Sequence, residues 1–398
     1  MGNTLEGYGH EDLATEKREC VTKKETECGH MIKIGSDKYA LDETPSDIRF
    51  AVSSMQGWRP TMEDSHILAP SLEVDGKGGS RRVLLDHALF CVFDGHGGGF
   101  TSEFAGENFK KFLMERKEWI KYINLSPDER GDVPGVTLLK SAMKGAFYDI
   151  DNEMKIRYVK RLHMLRANSS ILPRDQKNLE AVGGLSPESR DNCSSSRELL
   201  PSPPPLLQQR IFIDRSGSTA VTVLLTPSHI ICCNLGDSRA ILCREGTVYP
   251  LSFDHKPSDG REMTRVHEAG GFVKLKRIDG DLAVSRGLGD FRFKLNEIKG
   301  LNEQKVSSEP EIMVYPRNNH VDEFLVIGCD GIWDVLDNNE CAKLVQQLYR
   351  ENPVDLGKIC EDILDVCLKK DSRDNMTVSV LTMPAAHGLK TDDEEARS

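Results

Sequence analysis

Short apolar runs, each ended by glycine or aspartate, dominate the chain, and most are too short to form a helix of their own. Residues 89–93 (Leu-Phe-Cys-Val-Phe), 219–225, 229–235, 240–244, 324–329 and 376–381 read as strands. Two more flank a polar turn between Phe50 and Leu68. Glu63 and Asp64 are adjacent there, so in a regular strand they would point to opposite faces. A second pattern, with apolar residues three and four apart, marks helices over 101–119, 137–161, 260–269, 338–350 and 354–369. Residues 272–278 and 282–284 around Asp279-Gly280 read as a hairpin. Strands outnumber helices, and the helices fall in groups rather than alternating with strands. The expected fold class is therefore α+β: a central β-sandwich of two antiparallel sheets flanked by helices on both outer faces.

Three segments fall outside this pattern. Residues 1–45 are polar with little periodicity and read as a flexible N-terminal arm. Residues 162–210 carry Ser194-Ser195-Ser196 and a proline run from Pro201 to Pro205, the composition of a disordered insertion. Residues 386–398 form an acidic tail. That leaves 46–385 as one domain. With 398 residues, 38% hydrophobic and 29% charged, the chain can bury a sizeable core. A net charge of −11 argues against nucleic acid as a partner, because phosphate backbones need a basic face. Eleven scattered cysteines without a C-x-x-C pair read as reduced thiols of a cytoplasmic or nuclear protein. No apolar stretch has membrane-spanning length. Met1-Gly2-Asn3 opens like an N-myristoylation signal, but Glu6 stands where that motif takes Ser or Thr, so membrane association through Gly2 is only a secondary expectation. A monomer is expected.

The candidate chemistry lies where strands meet loops. Asp94, Asp237 and Asp330 each follow an apolar run, and Asp374 immediately precedes one. Each alone also reads as a turn residue. Strand ends of a sandwich gather at one edge, and carboxylates gathered there repel one another until a cation relieves them. Oxygen ligands without a His/Cys set point to Mg²⁺ or Mn²⁺ rather than Zn²⁺. A dinucleotide-binding reading of Gly95 and Gly97 fails at Phe100, which stands where the motif needs its third glycine.

Five blocks occur in order: Gly57-Trp58-Arg59 with Met62-Glu63-Asp64-Ser65-His66; Val92-Phe93-Asp94-Gly95-His96-Gly97-Gly98; Ser216-Gly217-Ser218-Thr219-Ala220 with Gly236-Asp237-Ser238-Arg239; Asp281-Leu282-Ala283-Val284-Ser285-Arg286-Gly287-Leu288-Gly289-Asp290; and Cys329-Asp330-Gly331-Ile332-Trp333-Asp334 with Asp374-Asn375. Together they resemble the metal-dependent serine/threonine protein phosphatases of type 2C. The resemblance implies two Mg or Mn ions, with a third, weaker one, acting on phosphorylated protein substrates. Asp94 would bridge the two ions, with Glu63 and the Gly95 carbonyl on one, Asp330 and Asp374 on the other, and Asp237 at the third. Arg59 would clamp phosphate, His96 would act as general acid, and Asp64 would orient the attacking water. That water, held between the two ions, would attack phosphorus directly, without a phospho-enzyme.

Two rival readings and one departure from the family pattern bear on that picture. An aspartyl-phosphate mechanism of the haloacid-dehalogenase type would need a second Asp where His96 stands. A pseudophosphatase would be expected to lose a metal carboxylate, and every matched one is present. No tryptophan occurs between Gly271 and Leu282, so the receptor lock of the plant hormone-receptor members is not expected.

Overall fold

The strand Ala88–Phe93 is buried at every position, and its side chains alternate between two cores. Phe90 and Val92 meet Phe50, Val221, Val223, Leu325 and Ile327 between two sheets. Leu89, Cys91 and Phe93 meet Phe104, Phe109, Met143 and Phe147 beneath helices. A strand sandwiched in this way has no polar face, which explains its unbroken apolar run.

The structure, a computed structural model, describes residues 20–31, 48–75, 81–169 and 215–389. One sheet runs Glu311–Pro316, His229–Leu235, Ala220–Leu225, Ala88–Phe93, Ser65–Ala69; the other runs Val21–Met31, Ile48–Gly57, Met376–Thr382, Asp322–Gly328, Arg239–Arg244, Thr247–Pro250. Every neighbouring pair in them is antiparallel. The helices Phe100–Met114, Lys117–Ile123 and Val133–Ser169 cover the first sheet, and Asp330–Trp333, Asn338–Glu351 and Leu356–Lys369 cover the second. In Val133–Ser169 the buried residues Leu139, Ala142, Met143, Ala146, Phe147, Ile150 and Met154 keep the three-and-four spacing of a helix face. The expected α+β sandwich with helices on both outer faces is the observed fold. Between Thr247–Pro250 and Glu311–Pro316 lies a lobe with its own small cluster of Val266, Ile278, Leu282, Val284, Phe293 and Val306.

Several local expectations need correction. The arm at 1–45 contains the edge strand Val21–Met31, tied down by Thr26 Oγ1 donating to Glu361 at 2.9 Å and by Lys24–Asp365 at 2.6 Å. Its charged sequence hides it, because edge strands carry charge that blocks further pairing. The helix expected over 101–119 is two helices, separated where Arg116 turns extended at ψ 133°. The helix Val133–Ser169 enters the expected insertion at 162–210, most of which lies outside the described residues. The expected turn at Asp279-Gly280 is present, with Ile278 and Leu282 exchanging backbone hydrogen bonds across it at 2.8 and 3.2 Å, but a second turn at Leu275-Lys276 breaks the expected strand 272–278 into Val273–Lys274 and Arg277–Ile278. Leu275 and Lys276 are both left-handed, at φ 52° and 61°, a conformation that neither side chain advertises. Glu63 and Asp64 lie in the irregular stretch before Ser65–Ala69, so strand alternation does not separate them.

Candidate active site

Four elements deliver carboxylates to one edge of the sandwich. Ala88–Phe93 ends at Asp94, His229–Leu235 at Gly236-Asp237, Asp322–Gly328 at Cys329-Asp330, and Met376–Thr382 begins after Asp374-Asn375. Side-chain oxygens of Asp94, Asp237 and Asp330 all lie within 4.8 Å of one another. A second group, Asp64, Asp94 and the thiol of Cys329, meets the same limit. Asp94 is common to both.

Burial first, and crowding second, set the electrostatics here. Burial pushes the Asp94 carboxyl well above its usual range, and the charges of Asp330, Asp64, Asp237 and Asp374 push it further. Asp330 is raised for the same two reasons, with Asp237 and Asp374 the strongest neighbours. Burial lifts Asp64 to about 6, although a hydrogen bond from Thr377 at 2.7 Å opposes the shift. Asp64 Oδ1 is buried without a hydrogen-bond partner. A concave group of raised carboxylates with an orphaned oxygen is a donor set suited to hard divalent cations.

Glu63 stands to one side of this group. Its Oε2 accepts from Gly98 N at 3.0 Å and its Oε1 from Thr61 Oγ1 at 2.8 Å. The loop carrying it is clamped by Asn375, whose Oδ1 accepts from Glu63 N and whose Nδ2 donates to the carbonyls of Gln56 and Thr61, each at 2.9 Å. Gly95 must be glycine, because a Cβ there would stand 2.2 Å from the Glu63 carbonyl oxygen.

Arg59 is half exposed and forms an ion pair with Asp374. Asp237, which could have been a turn carboxylate paired with Arg239, pairs with Lys256 instead. Arg239 forks onto Asp254 at 2.6 and 3.1 Å. His96 lies on the two-residue strand Gly95–His96, which pairs with Gly217–Ser218, itself paired with Leu288–Gly289. That small sheet brings His96 Nε2 to 2.8 Å from Asp290 Oδ2. Burial lowers the His96 pKa, but the Asp290 carboxylate outweighs it and the net shift is upward.

Asn375 and Asp290 stand inside motif blocks, yet their contacts are invisible in the sequence. Asp334, also inside a motif block, is a further charged neighbour of Asp330, and Lys256 and Thr377 are neighbours of the site that sequence reasoning missed. Lys256 follows Asp254-His255, and that charged cluster was the one available signal.

The family profile described as Protein phosphatase 2C matches residues 48–158 and 190–376. Protein phosphatase 1A of Homo sapiens is 33% identical over 352 residues, covering 88% of this chain and 74% of that protein. Protein phosphatase 1B of Rattus norvegicus is 32% identical over 364 residues, covering 91% and 76%. Among solved structures, a phosphatase from a pathogenic strain of Toxoplasma gondii superposes with a TM-score of 0.60 at 19% identity, covering 91% of this chain and 96% of that one. A Caenorhabditis elegans sex-determining protein superposes at 0.58 with 21% identity, covering 85% and 65%. At those identities the structural likeness shows the fold. No described helix is long and apolar enough to cross a membrane.

Proposed function

The chain belongs to the protein phosphatase 2C family of serine/threonine phosphatases, and on that premise we propose that it hydrolyses phosphoserine and phosphothreonine in proteins with two bound Mg or Mn ions and no phospho-enzyme. The observation that supports this reading is the position of Asp94 in both clusters of candidate ligands, one of three carboxylates and one of two carboxylates with the Cys329 thiol, where one residue can serve two cations. Asp94 would bridge, Glu63 and the Gly95 carbonyl would hold one ion, and Asp330 and Asp374 the other. Asp237 would hold a third, weaker ion in place of its lysine partner. When bound, such ions supply positive charge against the phosphate and lower the pKa of water toward neutrality.

The chain's own residues do the rest. Arg59 presents a planar fork that fits two phosphate oxygens. It can exchange Asp374 for substrate, since the pair is partly exposed. Asp64, held by Thr377, orients the attacking water through its free oxygen. His96 protonates the departing seryl or threonyl oxygen. We read the protein as a monomer and place it in the cytoplasm or nucleus, a location supported by free cysteines throughout the described residues.

The test is turnover of a phosphoserine peptide and of p-nitrophenyl phosphate with Mn²⁺, Mg²⁺ and EDTA. Activity should vanish in EDTA and return with either ion. Full activity in EDTA overturns the metal mechanism, and tight phosphopeptide binding without turnover would instead mark a phosphoprotein-binding module.

A further inference from the structure

Asp290 closes one of the motif blocks. Its carboxylate is 1% exposed. The hydrogen bond its side chain makes among the described residues goes to His96 Nε2 at 2.8 Å, and its other oxygen, Oδ1, is buried without a partner. Its backbone is left-handed at φ 50°, which costs a residue other than glycine on the order of 1 kcal/mol.

Another buried carboxylate, Asp151, differs in every respect. It lies within a helix, takes Lys294 Nζ at 2.9 Å on both oxygens, and accepts Gly289 N at 2.8 Å. Asp151 is satisfied in the way of a structural residue. Asp290 is half-satisfied, conformationally costly and aimed at one imidazole.

The surroundings are shaped for that contact. A Cβ at Gly217 would stand 2.1 Å from Asp290 Oδ2 and 2.4 Å from His96 Nε2, so only glycine lets the two groups meet. Asp290 N donates to Ser216 O at 3.0 Å, which fixes the carboxylate beside the Gly217 strand.

We propose that Asp290 is the positioning residue of His96: its carboxylate holds Nε2–H, locks the ring orientation, and leaves Nδ1 as the nitrogen that serves the substrate. The inference rests on the reading of His96 as general acid. As the P–O bond breaks, its electron pair goes to the seryl or threonyl oxygen and the proton on Nδ1 passes to that oxygen. The proton on Nε2 stays on that nitrogen throughout, donated to the Asp290 carboxylate. A ring free to rotate would present either nitrogen at varying distances, and misplacement of a proton donor is costly to turnover.

Two variants test this without disturbing the backbone. Asp290→Asn keeps the size and tolerates left-handed φ, and Asp290→Gly removes the carboxylate while relaxing the φ. Each is compared with His96→Ala and with the double variants, on a phosphoserine peptide and on p-nitrophenyl phosphate, whose leaving group needs no proton. Melting temperature and Mn²⁺ stoichiometry are measured for all, and ¹⁵N spectra of the His96 ring are recorded for wild type and both Asp290 variants.

Both Asp290 variants should lose on the order of 10- to 100-fold in kcat on the peptide, with KM little changed and a clearly smaller loss on p-nitrophenyl phosphate. In the His96→Ala background they should cost nothing more. The wild-type ring should show a protonated Nε2 that is lost or broadened in Asp290→Gly. Additive losses with His96→Ala, or an unchanged ring spectrum in Asp290→Gly, overturn the proposal even if His96 is the acid. Equal losses of His96→Ala on both substrates sink the acid reading itself, whatever the ring spectrum shows. A loss of Mn²⁺ stoichiometry in both Asp290 variants would make Asp290 a support of the metal site, which also overturns it.

Discussion

Glu262 and Asp94 are both buried acids, and their neighbours push them in opposite directions. Burial raises Glu262 as it does Asp94, but the bond from Arg286 and the charges of Arg265 and Arg286 outweigh it, and Glu262 falls to about 2. Arg265 stands at 2.6 Å, Arg286 at 2.7 Å and Ser285 Oγ at 2.7 Å. A carboxyl whose pKa is lowered on folding contributes stability above its unfolded pKa, about 4.5, and loses it as pH falls through about 2. The unfolding free energy from urea titrations should therefore decline across that window. Glu262→Gln should flatten the decline and cost about 2–3 kcal/mol at neutral pH, since two partly buried guanidinium groups lose their charged acceptor and keep only backbone carbonyls. An unaltered acid limb in the variant would show that this cluster does not govern acid stability. On the proposed function, Arg59 would act on substrate rather than on stability. Arg59→Ala should raise KM for phosphopeptide by roughly 10-fold or more with melting temperature nearly unchanged, because the arginine is half exposed and its energy goes into phosphate binding.

At the scale of elements, turns and edges hold the strain and the slack. Leu275 and Lys276 occupy left-handed positions, and Leu275 is 85% exposed. Replacing the pair by Asn-Gly matches the turn to its preferred residues and should stabilise the protein by about 1 kcal/mol in thermal melts. A loss of stability there would mean that the exposed leucine has contacts beyond the described residues. The edge strand Val21–Met31 covers the free side of Ile48–Gly57, whose far end leads into the Arg59–Asp64 loop. Truncation before Ser46 should lower the melting temperature and weaken Mn²⁺ binding together, as read by calorimetry. A drop in stability with unaltered metal affinity would separate the strand from the site.

For the whole molecule, the acidic cluster is where folding and the proposed function meet. Bringing Asp64, Asp94, Asp237, Asp330 and Asp374 together is unfavourable until cations neutralise them. Saturating Mn²⁺ should raise the unfolding free energy by about 2.7 kcal/mol at a hundred times the dissociation constant, and EDTA should remove that gain. Asp94→Asn should abolish tight binding of both ions. Asp237→Ala should keep them while changing the metal concentration needed for turnover, because Asp237 belongs to one cluster of candidate ligands and Asp94 to both. Equal loss of tightly bound metal in the two variants would refute that division of labour.

Much of this was legible in the chain. The unbroken apolar run of 89–93 marked a doubly buried strand, the three-and-four spacing from Leu139 to Met154 marked a covering helix, and aspartates at strand ends marked the site. These are local properties, written in the period of the backbone and in where that period stops. The contacts that organise the site are not local. His96 meets Asp290 across 194 positions, and Asn375 reaches Glu63 across 312. The charged Val21–Met31 becomes a strand only because Ile48–Gly57 offers it an edge, and Asp237 chooses Lys256 over its neighbour Arg239 because folding puts Asp254 against that arginine. Sequence patterns determine which elements form and which faces they bury. Partner choice depends on distances that exist only once the layers have assembled, and there tertiary structure alone decided.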